Sequence, residues 1–242
     1  MFFEACLKSC EEFKAKVAEK TESDRFDDLT EKLTRGEGGD ISIVADILSE
    51  EIFVRNLSAF GEIYSEESGR IGSGELTVYL DPLDGSDNFS SRIPYYGVSV
   101  CLADKERQIE SFICNFATGE IFYKRDELLL SDMKSGKNFK KPTFKKSGIG
   151  LFERAYSNPH ICEKLFAAGY KYRSPGALAL SMAYTVNCGF LVYAGKGRVF
   201  DIIAGLHMLE GAFLYQGDEV SVVSYDEKVF TNILNSLGLQ RG

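Results

Sequence analysis

Asp81 and Asp84 flank Pro82 and Leu83 and run directly into Gly85-Ser86-Asp87-Asn88-Phe89. Carboxylates in this arrangement can hold a hard divalent cation such as Mg²⁺ and share it with a substrate phosphate. Beyond Gly85 the chain can start a helix, whose free N–H groups attract anions, phosphate above all. Two acids beside such a start would repel a phosphate unless a cation lay between them, so the pattern points to metal-assisted phosphate chemistry. An acidic surface turn would use the same residue types. An EF-hand fails, because its third position would be Leu83, which has no side-chain oxygen.

The elements that must position these groups follow from periodicity. Leu76-Thr77-Val78-Tyr79 is apolar and β-branched, which predicts a buried strand that delivers Asp81 and breaks at Pro82. Phe2, Cys6, Cys10, Phe13 and Val17 recur at helical spacing and predict an amphipathic N-terminal helix. Thr34 to Gly39 holds three glycines in six residues, a linker or a lid over a site. A helix after Asp46 carries Val44, Ile47, Leu48, Ile52 and Phe53 on one face. Gly97–Leu102, Gln108–Phe116 and Glu120–Tyr123 predict an antiparallel meander. The basic stretch 131–146, with Gly136 and Pro142, is the expected boundary between an α+β lobe (1–134) and an α/β lobe (135–242). The second lobe alternates strands and helices: strands at Leu151–Tyr156, Tyr170–Arg173, Phe190–Tyr193 and Val220–Ser224, and helices at Pro159–Ala168, Ala177–Val186, Asp201–Tyr215 and Val229–Leu237.

Composition narrows the function. The 242 residues, 44% hydrophobic and 26% charged, suit a globular protein with a substantial core. A formal charge of −8 argues against nucleic acid as a partner. No apolar run reaches a membrane span, and Glu4 comes too early for a signal peptide. The six cysteines form no Cys-x-x-Cys pair, which predicts free buried thiols in a reduced, cytoplasmic setting. Only two histidines, His160 and His207, are present, so a His-rich zinc site is impossible and catalysis must rest on carboxylates.

Asp81-Pro82-Leu83-Asp84-Gly85-Ser86 with Asn88-Phe89 resembles the signature of the inositol monophosphatase and fructose-1,6-bisphosphatase superfamily of Mg²⁺-dependent, lithium-sensitive phosphatases. Two further segments share it. Glu66-Glu67 lies where the superfamily carries a metal-binding glutamate, and Phe200-Asp201-Ile202-Ile203-Ala204-Gly205 is similar to its Trp-Asp-x-Ala-Ala-Gly, with Phe for Trp and Ile for Ala. A partial match, with Ile43 in place of Thr, makes Asp46 the counterpart of a residue that approaches a more weakly held metal. The resemblance implies a layered α/β/α/β/α sandwich with two Mg²⁺, and a third beside Asp46. The ligands would be Glu66, Asp81, Asp84, Asp201 and the backbone carbonyl of Leu83. It further implies phosphate at the N–H groups of Gly85 and Ser86, a water oriented by Glu66 and Ser86, lithium inhibition, and a homodimer. Ser86 stands where Thr is common.

The substrate is less constrained. Inositol-preferring relatives carry an acid a few residues before the last Asp, where this chain has Ala194. Lys196 and Arg198 in that turn suit a second phosphate, as in the archaeal dual-activity type, or are solvated surface. Arg173, entering the loop with Gly176 and Ala177, is a further candidate for the substrate's far end. Rival expectations are a 3′-phosphoadenosine-type nucleotide phosphatase and a non-catalytic sugar-phosphate or metal-binding regulator.

Overall fold

A computed structural model describes residues 1–143 and 147–240. The chain opens with helix α1 (Phe2–Glu22) and a hairpin of β1 (Lys32–Arg35) and β2 (Ile41–Ile43), which leads into α2 (Val44–Leu57). Strands β3 (Glu62–Ser65), β4 (Gly69–Ile71) and β5 (Thr77–Asp84) follow, then the short α3 (Ser86–Ser90). The meander is β6 (Gly97–Ala103), β7 (Gln108–Asn115), β8 (Glu120–Lys124) and β9 (Leu128–Asp132). Next come β10 (Ile149–Glu153), α4 (Pro159–Ala167), β11 (Lys171–Arg173) and α5 (Leu178–Tyr184). The chain closes with β12 (Leu191–Ala194), α6 (Val199–Met208), β13 (Phe213–Gln216), β14 (Val220–Ser224) and α7 (Glu227–Leu237).

A seven-stranded sheet runs β4-β3-β5-β6-β7-β8-β9, and a five-stranded sheet runs β11-β10-β12-β14-β13. Period-2 alternation sends Val78, Leu80, Val98, Val100, Phe112 and Cys114 into a core with Phe3, Phe13 and Phe53 of α1 and α2. The opposite face, with Cys101, Ile113 and Phe122, packs on Leu180, Ala183, Ala204 and Met208 of α5 and α6. Those two helices also meet the five-stranded sheet, through Met182, Leu191, Tyr193 and Val223. Helices α4 and α7 cover that sheet's outer face. The layers are therefore α/β/α/β/α, as the family resemblance implied.

The register of β5 against β6 pairs Asp81 with Ser99 and Asp84 with Gly97, three steps against two. This irregularity is where Pro82, which has no N–H to donate, is tolerated in a central strand. It also turns the chain so that both carboxylates stand at the strand's C-terminal end.

Several elements differ from expectation. Residues 201–215 are not one helix: α6 ends at Met208, Gly211 takes φ +88°, and β13 begins at Phe213 to pair with β14. The strand expected over 151–156 stops at Glu153, because Arg154 turns to φ +62°. The glycine-rich stretch from Thr34 to Gly39 lies in an ordered hairpin, with Lys32 opposite Ile43 and Arg35 opposite Ile41. Leu128–Asp132, which reaches into the expected boundary stretch 131–146, is an edge strand of the seven-stranded sheet; residues 144–146 lie outside the described residues.

Helix α6 meets α5 at Gly205, where a Cβ would lie 2.7 Å from the Met182 Cβ. Alanine there gains about 1 kcal/mol of helix propensity, but overpacking costs about 1–3 kcal/mol. Gly205→Ala should therefore lower the urea midpoint, with m unchanged.

Candidate active site

Three carboxylates from three separate elements converge above the middle helix layer. Glu66 follows β3, Asp81 ends the regular part of β5, and Asp201 is the third residue of α6. One oxygen from each lies within 4.8 Å of the other two, and all three residues are buried. Arg198, at the N-cap of α6, is the cation between them. Its Nη1 lies 2.6 Å from Glu66 Oε1, while Nε and Nη2 donate to the two Asp201 oxygens at 3.0 and 3.1 Å. The same Nη1 reaches Asp40 Oδ2 at 2.7 Å and the Gly38 carbonyl at 3.2 Å.

The β1–β2 hairpin thus folds its tip onto the site. The Gly38 and Glu37 N–H groups donate to the carbonyls of Glu66 (2.7 Å) and Glu67 (3.0 Å). A Cβ on Gly38 would fall 2.6 Å from the Glu66 Cγ, so only glycine fits so close. Glu67 accepts from the Ser42 hydroxyl.

One face of α2 fixes the turns that carry the acids. Asp46 Oδ1 accepts from the Ser86 hydroxyl at 2.6 Å, and its Oδ2 from the Ile43 N–H at 2.6 Å. Ser49 donates to the Pro82 carbonyl at 2.7 Å. Glu50 accepts from the N–H (3.0 Å) and hydroxyl (2.6 Å) of Ser68, two residues beyond Glu66. Ser86 Oγ also lies 3.0 Å from the Leu83 carbonyl. Gly85 adopts φ +91°, and a Cβ there would press on Tyr95 O (3.0 Å) and Ala177 Cβ (3.1 Å). The turn into α3 therefore requires glycine.

Asp84 and Glu153, one from each sheet, both grip the start of α5. Asp84 Oδ2 accepts from the Leu180 N–H at 2.9 Å, and Glu153 takes the Gly176 N–H at 3.0 Å and the Ser181 hydroxyl. Asn88 ties the halves together, donating to the carbonyls of Tyr95 and Pro175, each at 2.7 Å.

The acids, Arg198 and the tip of the hairpin line a cleft of about 960 Å³. Of the residues expected from the sequence, Glu66, Asp81, Leu83, Asp84, Gly85, Ser86, Asp46, Asp201, Gly176 and Arg198 all line it. Ala177 is buried beneath it. Lys196 is exposed and paired with Asp218 at 2.9 Å, and Arg173 is exposed with Nη1 on the Tyr172 carbonyl at 2.9 Å; neither lines the cleft. His207 is buried against Ser111 (2.8 Å), away from the cleft. Sequence reasoning missed Glu153, Arg154 and Asp40. The place of Glu153, at the end of a strand before a turn, was a usable signal once β10 was correctly bounded.

Burial, with like charges nearby, pushes the acids up: Glu66 and Asp84 to about 8, Asp46 to about 7, and Asp81 well above its usual range. Buried carboxylates with one guanidinium among them are short of positive charge. The all-oxygen donor set of Glu66, Asp81 and Asp201 fits a hard divalent cation, which would supply it.

The inositol monophosphatase family matches residues 5–212. The chain belongs to that family. Its members are phosphoric monoester hydrolases, and metal dependence accords with the acidic cluster. The chain is 41% identical over 64 residues to a fructose-1,6-bisphosphatase/inositol-1-monophosphatase of Archaeoglobus fulgidus, covering 25% of each chain. It is 28% identical over 188 residues to an enzyme of the same description from Thermococcus kodakarensis, covering 72% of this chain and 68% of the relative. Among solved structures, an inositol monophosphatase–fructose 1,6-bisphosphatase superposes with TM-score 0.77 at 21% identity, covering 98% of this chain and 99% of the other. That likeness is one of fold.

Two outcomes follow for the metal-free protein. Glu66, Asp84 and Asp46 bind protons more tightly folded than unfolded, so the stability these three groups contribute is full below about pH 4 and is lost as pH rises towards 8. In chelator, the melting temperature should be higher at pH 5.5 than at pH 8.5, and Mg²⁺ should raise it more at pH 8.5; an equal rise at both would contradict this account. Arg198→Met removes the one cation that contacts these acids among the described residues, so in chelator it should lower the melting temperature more at pH 8.5 than at pH 5.5.

Proposed function

We propose that this chain hydrolyses the phosphomonoester of a small sugar or polyol, inositol 1-phosphate or fructose 1,6-bisphosphate. The observation that carries the reading is the convergence of Glu66, Asp81 and Asp201 oxygens within 4.8 Å, beside the Gly85-Ser86 turn. Two Mg²⁺ would be held by Glu66, Asp81, Asp84, Asp201 and the Leu83 carbonyl, with Asp46 available to a third. A cation so held supplies a water of lowered pKa and charge to offset the phosphate.

The remaining work belongs to the chain itself. The N–H groups of Gly85 and Ser86 receive phosphate oxygens. The Ser86 hydroxyl, set between Asp46 (2.6 Å) and the Leu83 carbonyl (3.0 Å), orients the attacking water together with Glu66. Asp84 and Glu153 hold the start of α5 and the Gly176 loop as a fixed wall. Water attacks phosphorus directly, so no side chain becomes phosphorylated; recovery of a phosphorylated residue during turnover would exclude this route. Lithium should inhibit.

Phosphate release from inositol 1-phosphate and fructose 1,6-bisphosphate should require Mg²⁺ and stop in excess chelator. Asp201→Asn should lower kcat/KM roughly a thousandfold, since metal stabilisation of the transition state is worth several kcal/mol. Activity that survives chelation, or an Asp201→Asn enzyme at the wild-type rate, would sink the proposal. A nucleotide bisphosphate hydrolysed in place of both sugars would move the substrate to the 3′-phosphoadenosine class.

A further inference from the structure

Within the proposed phosphatase reading, the cleft holds a cation that neither the acids nor the hydrolytic step uses. Arg154 lines the cleft at the C-terminal end of β10, beside the parallel strand β12. Ligands of open α/β sheets bind at such strand ends. Its backbone sits at φ +62°, a conformation that costs free energy for a residue other than glycine. The following turn holds it there: the Arg154 carbonyl accepts from Asn158 Nδ2 at 2.8 Å and from the Ser157 hydroxyl at 3.1 Å. The backbone is thus set so that the side chain leaves the sheet towards the turn after β12.

Gly195 clears the way. A Cβ there would lie 3.3 Å from Arg154 Nη1, so a glycine lets the guanidinium lie across the turn that leads to Arg198 and Asp201. No ion pair or hydrogen bond engages that guanidinium among the described residues. Burial raises the pKa of the neighbouring Glu153 carboxylate; its hydrogen bonds to Ser181, Gly176 and Ala177 oppose that rise, and the Arg154 charge adds a smaller effect in the same direction.

The other basic groups near this turn are committed. Arg198 is spent on Glu66, Asp201 and Asp40, and Lys196 pairs with Asp218 outside the cleft. Lys32 and Arg35 line the facing hairpin wall, on a strand exposed along its length.

We propose that Arg154 is the specificity residue that binds a second phosphoryl group, at the end of the substrate remote from the ester cleaved at Gly85-Ser86. A guanidinium suits this task because its fork matches two phosphate oxygens at once. The preferred substrate is then a bisphosphate, and the sugar and nucleotide classes share the group that is recognised.

Arg154→Met tests this through a ratio. The kcat/KM for fructose 1,6-bisphosphate relative to inositol 1-phosphate should fall roughly ten- to hundredfold, the worth of a lost charge-assisted contact. The fall should lie in KM, with partial recovery in Arg154→Lys. An unchanged ratio, or a fall in the Lys32→Ala, Arg35→Ala double variant instead, overturns the assignment. Thermal shift by fructose 1,6-bisphosphate in the presence of Mg²⁺ gives a reading independent of turnover: Arg154→Met should need roughly tenfold more ligand for the half-maximal shift. If wild type hydrolyses neither sugar, the proposed activity fails, while the ligand shift still judges Arg154. A 3′-phosphoadenosine 5′-phosphate arm identifies the source: Arg154-dependent binding of it, without that of the sugar, moves the second phosphate to a nucleotide.

Discussion

The structure depends on keeping several carboxylates buried at one point. Glu66, Asp81, Asp84 and Asp201 repel one another where water cannot screen them, and burial raises the first three above their usual range. Arg198 is what the fold supplies against this. It is bidentate to Asp201, reaches Glu66, and continues to Asp40 and Gly38 on the hairpin. A single guanidinium thereby ties α6, the turn after β3 and the β1–β2 hairpin into one electrostatic unit. A lysine could not do the same, since it offers a point charge rather than a planar fork.

Rigid placement comes from helices that do not themselves carry Glu66, Asp81 or Asp201. Residues 46, 49 and 50 of α2 hold the Ser86 turn, the Pro82 carbonyl and the Ser68 turn. Turns alone would leave these groups mobile. Hydrogen bonds from three residues of one helix, itself packed through Ile52, Phe53 and Leu57, fix them relative to each other. The start of α5 plays the corresponding part on the other side, gripped by Asp84 and Glu153.

The acids and most of the layers were legible in the sequence because each depends on local pattern. The strand into Asp81 is alternating and β-branched, and the Asp81–Ser86 turn and the Asp201 segment are contiguous signatures. What was not legible depends on distant contacts. Arg198 sits three residues before Asp201, and nothing local distinguishes a guanidinium aimed at buried acids from one aimed at an external phosphate. Lys196, two residues away, has the same local character and points out to Asp218. The hairpin over 32–43 is polar and exposed on β1; Ile43 anchors β2 in the core, while the tip is held by backbone bonds to Glu66 and Glu67. Arg154 was hidden because the apolar run Leu151-Phe152 reads as a longer strand, and only the left-handed turn reveals where it ends.

The site's position follows from the layering. Asp81 and Asp201 can meet only because α6 lies in the middle layer, with Ala204 and Met208 against the first sheet and Ile202 and Leu206 towards the second. The apolar packing of that layer and the approach of the acids are thus two ends of one contact, dry below and charged above. Tight packing transmits position with little slack, so the distance between Asp81 and Asp201 is set by packed residues such as Met182 and Gly205 that do not line the cleft. The repulsion above is offset by burial below, so the carboxylate oxygens are held in place by packing that lies outside the cleft.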